Sequence, residues 1–203
     1  MDGLFAAADV LPDKDEIFQM ILLQAKSGRE GTDKNALAER VKKHPGASPF
    51  ILSEAGKILS GEQAYALGKP LDLRFTAVDG AKVDLSQMKG KVVLVDFWAT
   101  WCGPCVAEVP SVKKVYEAYH AKGFETLGIS LDEKKEALLE FIQKQKMPWP
   151  QYFDGKQWNN EISFRFGING VPTMWLVDKK GVLRSTQARG NLEESVKALL
   201  VEK

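Results

Sequence analysis

The chain has 203 residues, 44% of them hydrophobic and 27% charged, with 28 Lys and Arg against 27 Asp and Glu for a formal charge of +1. That is a globular composition, long enough for one generous domain or a domain with an appendage, and its charge balance lacks the basic footprint that holds a phosphate backbone, so no nucleic-acid partner is expected. The only cysteines are Cys102 and Cys105, which excludes a multi-bridge disulfide scaffold. No apolar run approaches the ~18 residues that span a bilayer. Residues 1 to 25 also lack the ordered basic, apolar and cleavage segments of a secretory leader, so the chain reads as soluble.

In chain order, three short helical patterns come first. Ile17, Met20, Ile21 and Ala25 form one apolar face, and Asp33 can cap a second helix carrying Leu37 and Val41. In the third, Ser48 can cap, Pro49 suits the first helical position, Ile51, Leu52, Ala55, Ile58 and Leu59 share a face, and Gly61 can end the helix. Composition shifts near Leu67-Gly68-Lys69-Pro70, so residues 1–67 are expected to form a small helical region and 68–203 a second domain.

Beyond Pro70, alternating Leu71, Leu73 and Phe75, the Asp79-Gly80 turn signal, then Val83 and Leu85 predict a hairpin. The apolar run 92–97 predicts a strand covered on both faces. There follow a helix over 103–121, a strand over 126–130, a helix over 134–145 and a Pro/Trp-rich connection. A short helix over 160–166, strands over 173–177 and 182–186 and a helix over 192–201 complete the pattern. Strands alternating with helices predict an α/β fold whose sheet contains parallel pairs.

The dithiol lies where the buried strand gives way to a helix. If Cys102 opens that helix, the unpaired amide N–H groups and the positive dipole end favour its thiolate and make it the attacking sulfur. Cys105, one turn on, lies on the same face at a Cβ separation of ~5 to 6 Å and can resolve a mixed disulfide. Pro104 falls in the first turn, where its missing N–H costs nothing, and Gly103 leaves room for a partner chain. A bridge closing so short a loop removes little chain entropy, so reactivity explains the pair better than stabilisation does. The competing readings are an inert buried pair and half of a zinc site. Structural zinc needs four ligands, and the only histidines, His44 and His120, match no finger spacing. His120 reads as a charge match at a helix C-terminus. No phosphate loop, dinucleotide fingerprint or Ser/His/Asp context occurs, so neither a metal nor a bound cofactor is expected beyond the redox disulfide itself.

The run Leu94-Val95-Asp96-Phe97-Trp98-Ala99-Thr100-Trp101-Cys102-Gly103-Pro104-Cys105 resembles the active-site segment of thioredoxin, and Gly170-Val171-Pro172-Thr173 resembles its second hallmark. Lys82-Val83-Asp84-Leu85-Ser86, Lys89-Gly90-Lys91 and Asp178-Lys179-Lys180-Gly181 bring the chain closer to the TlpA/ResA-like branch of the thioredoxin-like superfamily, related to AhpC/TSA. The resemblance covers residues 70 to 203. It implies a thioredoxin-like fold, a central mixed sheet flanked by helices with an N-terminal hairpin, preceded here by the all-helical region.

The same resemblance implies that Pro172 is cis and faces the dithiol, and that backbone groups of Val171 pair with an incoming substrate strand beside Thr173. Trp101, Gly103 and Pro104 would line the docking surface, with Trp98 against the sheet. Asp96 matches the buried aspartate of thioredoxins, Glu108 the glutamate of TlpA/ResA-type proteins, and Pro110 the proline that kinks the helix. Either acid could take the proton from Cys105 as it attacks, if burial raises its pKa. The bland alternatives are a solvated helix glutamate and a structural carboxylate.

The function that follows is a thiol:disulfide oxidoreductase reducing protein disulfides, its Cys-Gly-Pro-Cys pair resembling thioredoxin at ~ −270 mV. Its expected partners are protein disulfides or dithiols and an upstream membrane electron donor, and it is expected to be a monomer. TlpA/ResA-type proteins act outside the bacterial cytoplasm, often on cytochrome c precursors or copper proteins. The resemblance therefore implies an extracytoplasmic location, periplasmic or membrane-anchored, with any signal or anchor expected to have been removed from this sequence. Two rivals stand: a peroxiredoxin-like thiol peroxidase, whose Pro-x-x-x-Thr/Ser-x-x-Cys arrangement is absent around Cys102, and a client-binding or chaperone module using residues 1–67. The aromatics of Met147-Pro148-Trp149-Pro150-Gln151-Tyr152 could contact substrate or pack.

Overall fold

The computed structural model describes residues 2–10, 14–26, 33–61 and 64–202. The chain divides into two compact units, residues 1–64 with 164–167, and residues 65–163 with 168–203.

The first unit holds α1 (Asp2–Val10), α2 (Lys14–Lys26), α3 (Lys34–Lys43) and α4 (Pro49–Ser60). Phe18, Ile21, Leu22, Val41, Ile51 and Ala55 are fully buried between them. The Asp33 carboxylate accepts the N–H groups of Asn35 and Ala36 at the start of α3, and the Ser48 hydroxyl accepts that of Ile51 at the start of α4. Helix α1 goes beyond the three sequence patterns; its Leu4-Phe5-Ala6-Ala7-Ala8 run has no helical alternation, and only Phe5 and Ala8 are fully buried. Met20 departs from its expected place in the apolar face, being 50% exposed. The buried arc of α2 is Ile17, Phe18, Ile21, Leu22 and Ala25, and at about 100° per residue Met20 points roughly 130° from its centre. Glu54 is a buried acid in α4, held by Lys26 at 2.8 Å and Lys57 at 2.7 Å.

The second unit is a mixed sheet with flanking helices. A hairpin, β1 (Arg74–Thr76) with β2 (Lys82–Asp84), precedes β3 (Val92–Trp98), α5 (Gly103–Tyr119), β4 (Phe124–Ser130) and α6 (Lys135–Gln145). Then come β5 (Gln151–Tyr152), α7 (Glu161–Arg165), β6 (Thr173–Val177), β7 (Leu183–Ser185) and α8 (Leu192–Val201). The strand order is β5-β4-β3-β6-β7, with β3, β4 and β5 parallel and β6 antiparallel to both of its neighbours. Strand β5 had no sequence signal, because two residues among prolines show no period.

All seven residues of β3 are buried, as its unbroken apolar run predicts. Its register pairs Asp96 with Gly128 of β4 on one side and Met174 of β6 on the other. Gly128 is required there: a Cβ on it would overlap the Gln151 amide, whose oxygen accepts the Trp98 indole N–H at 3.0 Å. Gly128→Ala is therefore expected to lower stability by about 1–3 kcal/mol through overpacking, read as a lower urea midpoint at unchanged slope.

Candidate active site

Cys102 and Cys105 are joined as a disulfide, with Cα atoms 5.2 Å apart. Strand β3 ends at Trp98, the chain turns with Cys102 N–H donating to the Ala99 carbonyl, and Cys102 becomes the cap residue of α5. Its sulfur accepts the Cys105 N–H at 3.2 Å, one of the donors that a helix start leaves unpaired. Both sulfur-bearing residues are buried, whereas Gly103 and Pro104 between them are exposed. Pro110 lies inside α5 and removes the N–H that would have met the Val106 carbonyl.

The loop before Cys102 is anchored by Asp132, just past the end of β4. Its carboxylate accepts the Thr100 N–H at 3.0 Å, the Thr100 hydroxyl at 2.6 Å and the Ser130 hydroxyl at 2.7 Å. The Trp101 indole N–H donates to the Leu131 carbonyl at 3.3 Å, leaving the ring 50% exposed. On the other side of β3, Phe97 pairs with Thr173, so the segment 99–102 and the loop 170–172 leave the sheet at the same end. The Val171–Pro172 peptide is cis, and the Thr173 hydroxyl donates to the Gly170 carbonyl at 2.7 Å.

Asp96 lies in β3, two residues before the strand ends at Trp98. It is buried, its Oδ1 has no hydrogen-bond partner, and its pKa is pushed up to about 7, first by burial and then by the negative charge of Glu108. Glu108, on α5, is half-buried and accepts from the Arg189 Nε at 3.0 Å. A carboxyl group that gains and loses its proton near neutrality, charge-coupled to a second acid one helical turn beyond Cys105, can exchange protons with a thiol. Among the described residues no group of three or more His, Cys, Asp or Glu side chains could hold a metal ion.

The sequence and the fold match known proteins. The redoxin family profile covers residues 59–200. The chain belongs to the redoxin family, as a TlpA/ResA-like thioredoxin-like protein. It is 31% identical over 159 residues to the thiol-disulfide oxidoreductase ResA of Bacillus cereus, covering 76% of this chain and 89% of that one. Among solved structures it is similar to the thioredoxin domain of a thiol-disulfide oxidoreductase from Bacteroides vulgatus, at 32% identity and a TM-score of 0.60 over 66% of this chain and 98% of that one. It is also similar to a thiol:disulfide interchange protein from a Bacteroides species, at 30% identity and a TM-score of 0.58 over 69% of this chain and 93% of that one. Like these redoxin relatives, the protein is a thiol:disulfide oxidoreductase.

Several groups around the redoxin site left no trace in the sequence reading. Arg189 reaches Glu108 across 81 positions, and Asp132 reaches Thr100 across 32. Trp149 and Met147 are buried packing residues, so the Pro/Trp segment does not offer these two side chains to substrate. The exposed indole near Trp101 belongs to Trp158 instead, with ring centroids 5.8 Å apart. Tryptophan in a polar stretch was the available signal for it.

The raised pKa of Asp96 has a measurable consequence. Unfolded, this carboxyl group ionises near ~3.9, and folded near about 7, so the native state holds one extra proton between these values. Its contribution is fully stabilising below pH ~4 and is lost as pH rises through 7, at roughly 1.4 kcal/mol per pH unit in between. Asp96→Asn is expected to remove that slope, so that denaturant midpoints between pH 5 and 8 fall less for the variant than for the parent.

Proposed function

We propose that this oxidoreductase works as a reductase of protein disulfides outside the bacterial cytoplasm, recharged by an upstream membrane dithiol donor. The observation that carries the reading is the Cys102 sulfur at the start of α5, disulfide-bonded to Cys105 and taking a helix N–H. In the reduced enzyme the same N–H and the helix dipole favour a Cys102 thiolate.

The Cys102 thiolate attacks one sulfur of the substrate disulfide, forming a mixed disulfide and releasing the other substrate sulfur as a thiolate. Cys105 then loses its proton to Asp96, directly or through water, with Glu108 setting the charge around that acid. The Cys105 sulfur attacks Cys102, the Cys102–substrate bond breaks, and the second substrate sulfur leaves. Two electrons have passed to the substrate, the enzyme disulfide has formed, and the substrate thiols carry the Cys105 proton and one taken from solvent.

The substrate strand lies along Val171, Pro172 and Thr173, with its disulfide over the exposed Gly103-Pro104 turn and beside Trp101. Conformity with TlpA/ResA-type proteins supports the extracytoplasmic location, a role of the kind met in cytochrome c biogenesis, and work as a monomer. Residues 1–67 are proposed as a separate helical domain that chooses location or client, and 68–203 as the redox domain. No helix among the described residues is long and apolar enough to cross a membrane.

The test is insulin reduction with dithiothreitol as donor, together with the potential of the Cys102/Cys105 couple. Cys102→Ser is expected to abolish turnover, while Cys105→Ser accumulates a mixed disulfide visible by mass. A potential near ~ −270 mV supports the reductase direction, and one above ~ −180 mV would overturn it.

A further inference from the structure

Large apolar side chains are exposed at few described positions of the second unit, and two of them are tryptophans that face one another. Trp101 is 50% exposed and Trp158 is 40% exposed, with rings inclined at 57°. Trp101 is the residue immediately before Cys102, so the pair stands at the redox site.

The loop that carries Trp158 is built to hold it there. Asp154 Oδ1 accepts the Lys156 N–H at 3.0 Å and the Asn160 amide at 3.1 Å, while Oδ2 accepts the Glu161 N–H at 2.9 Å and the Tyr152 hydroxyl at 3.3 Å. Asn160, fully buried, also donates to the Ser130 carbonyl at 3.2 Å, next to the hydroxyl that supports Asp132 and through it the Thr100 turn. Both tryptophans are thus tied to the same end of β4. Gln157, the residue before Trp158, has φ 49°, a left-handed conformation that is unfavourable for a non-glycine residue. A loop held this firmly, with a strained residue, keeps an indole in water instead of in a core.

Two charged side chains beside the Trp158 loop have partners. The Gln157 amide donates to Glu133 at 3.0 Å, and Lys156 pairs with Glu161 at 2.8 Å. The two indoles are themselves half exposed, and their surfaces suit an apolar side chain better than a charged one.

We propose that Trp101 and Trp158 form a clasp for an apolar side chain next to the cysteine of the protein substrate, which makes Trp158 a specificity-determining residue. The proposal rests on the reductase reading. Binding in the clasp holds the substrate disulfide over Cys102 before the attack; no bond changes in this step.

The experiment uses the reduced protein, residues 1–203, and two peptide disulfides identical except for Leu or Ser beside the cysteine. The parent is expected to favour the Leu peptide about tenfold in kcat/KM, the size of one well-placed apolar contact. Trp158→Ala should bring that ratio close to one, and Trp158→Phe should keep most of it. A parent without preference, or a Trp158→Ala variant that keeps it, overturns the clasp while leaving the reductase reading intact. A parent inert toward 2-hydroxyethyl disulfide overturns the reductase reading and the clasp with it.

Discussion

Strand β3 is buried at every residue between a parallel and an antiparallel neighbour, yet it carries a carboxyl group. That position desolvates Asp96, which disfavours its charged form. The geometry of the strand also decides where the chemistry happens. Its last residues lead into the Cys102 turn, and its pairing with β6 brings the cis Pro172 loop to the same end of the sheet.

Comparison with two other buried acids, Glu54 and Asp132, shows why Asp96 differs. Glu54 is met by two lysines, and Asp132 by two hydroxyls and an amide N–H. Such groups are satisfied and hold loops or helices in place. Asp96 has an oxygen with no donor, and its proton is held near neutrality by burial and by Glu108. Glu108 is in turn paired with Arg189 from the loop between β7 and α8, so that loop reaches the charge balance beneath the disulfide.

The rim is organised by side chains that do no chemistry. Asp132 ties the end of β4 to the turn before Cys102, and Asp154 folds the loop that presents Trp158. Both use a carboxylate as a collecting point for N–H and O–H donors, which fixes irregular backbone without a regular element. The site therefore has a rigid floor, the sheet, and walls whose positions rest on a few short hydrogen bonds.

Much was legible in the residues. The apolar run 92–97 ended in the observed strand, the periods over 173–177 and 192–201 matched β6 and α8, and the Cys-Gly-Pro-Cys segment together with Gly170-Val171-Pro172-Thr173 identified the superfamily. These signals are local, since period, capping and turn chemistry act over a few residues. The resemblance alone pointed to a cis Pro172 and to Asp96 and Glu108 as a pair. What only the tertiary structure decided was long-range: the missing partner of Asp96, the reach of Arg189 to Glu108, the burial of Trp149, and the meeting of Trp101 with Trp158. None of these follows from spacing, because burial and pairing depend on how distant strands and loops pack together, and no local pattern encodes that.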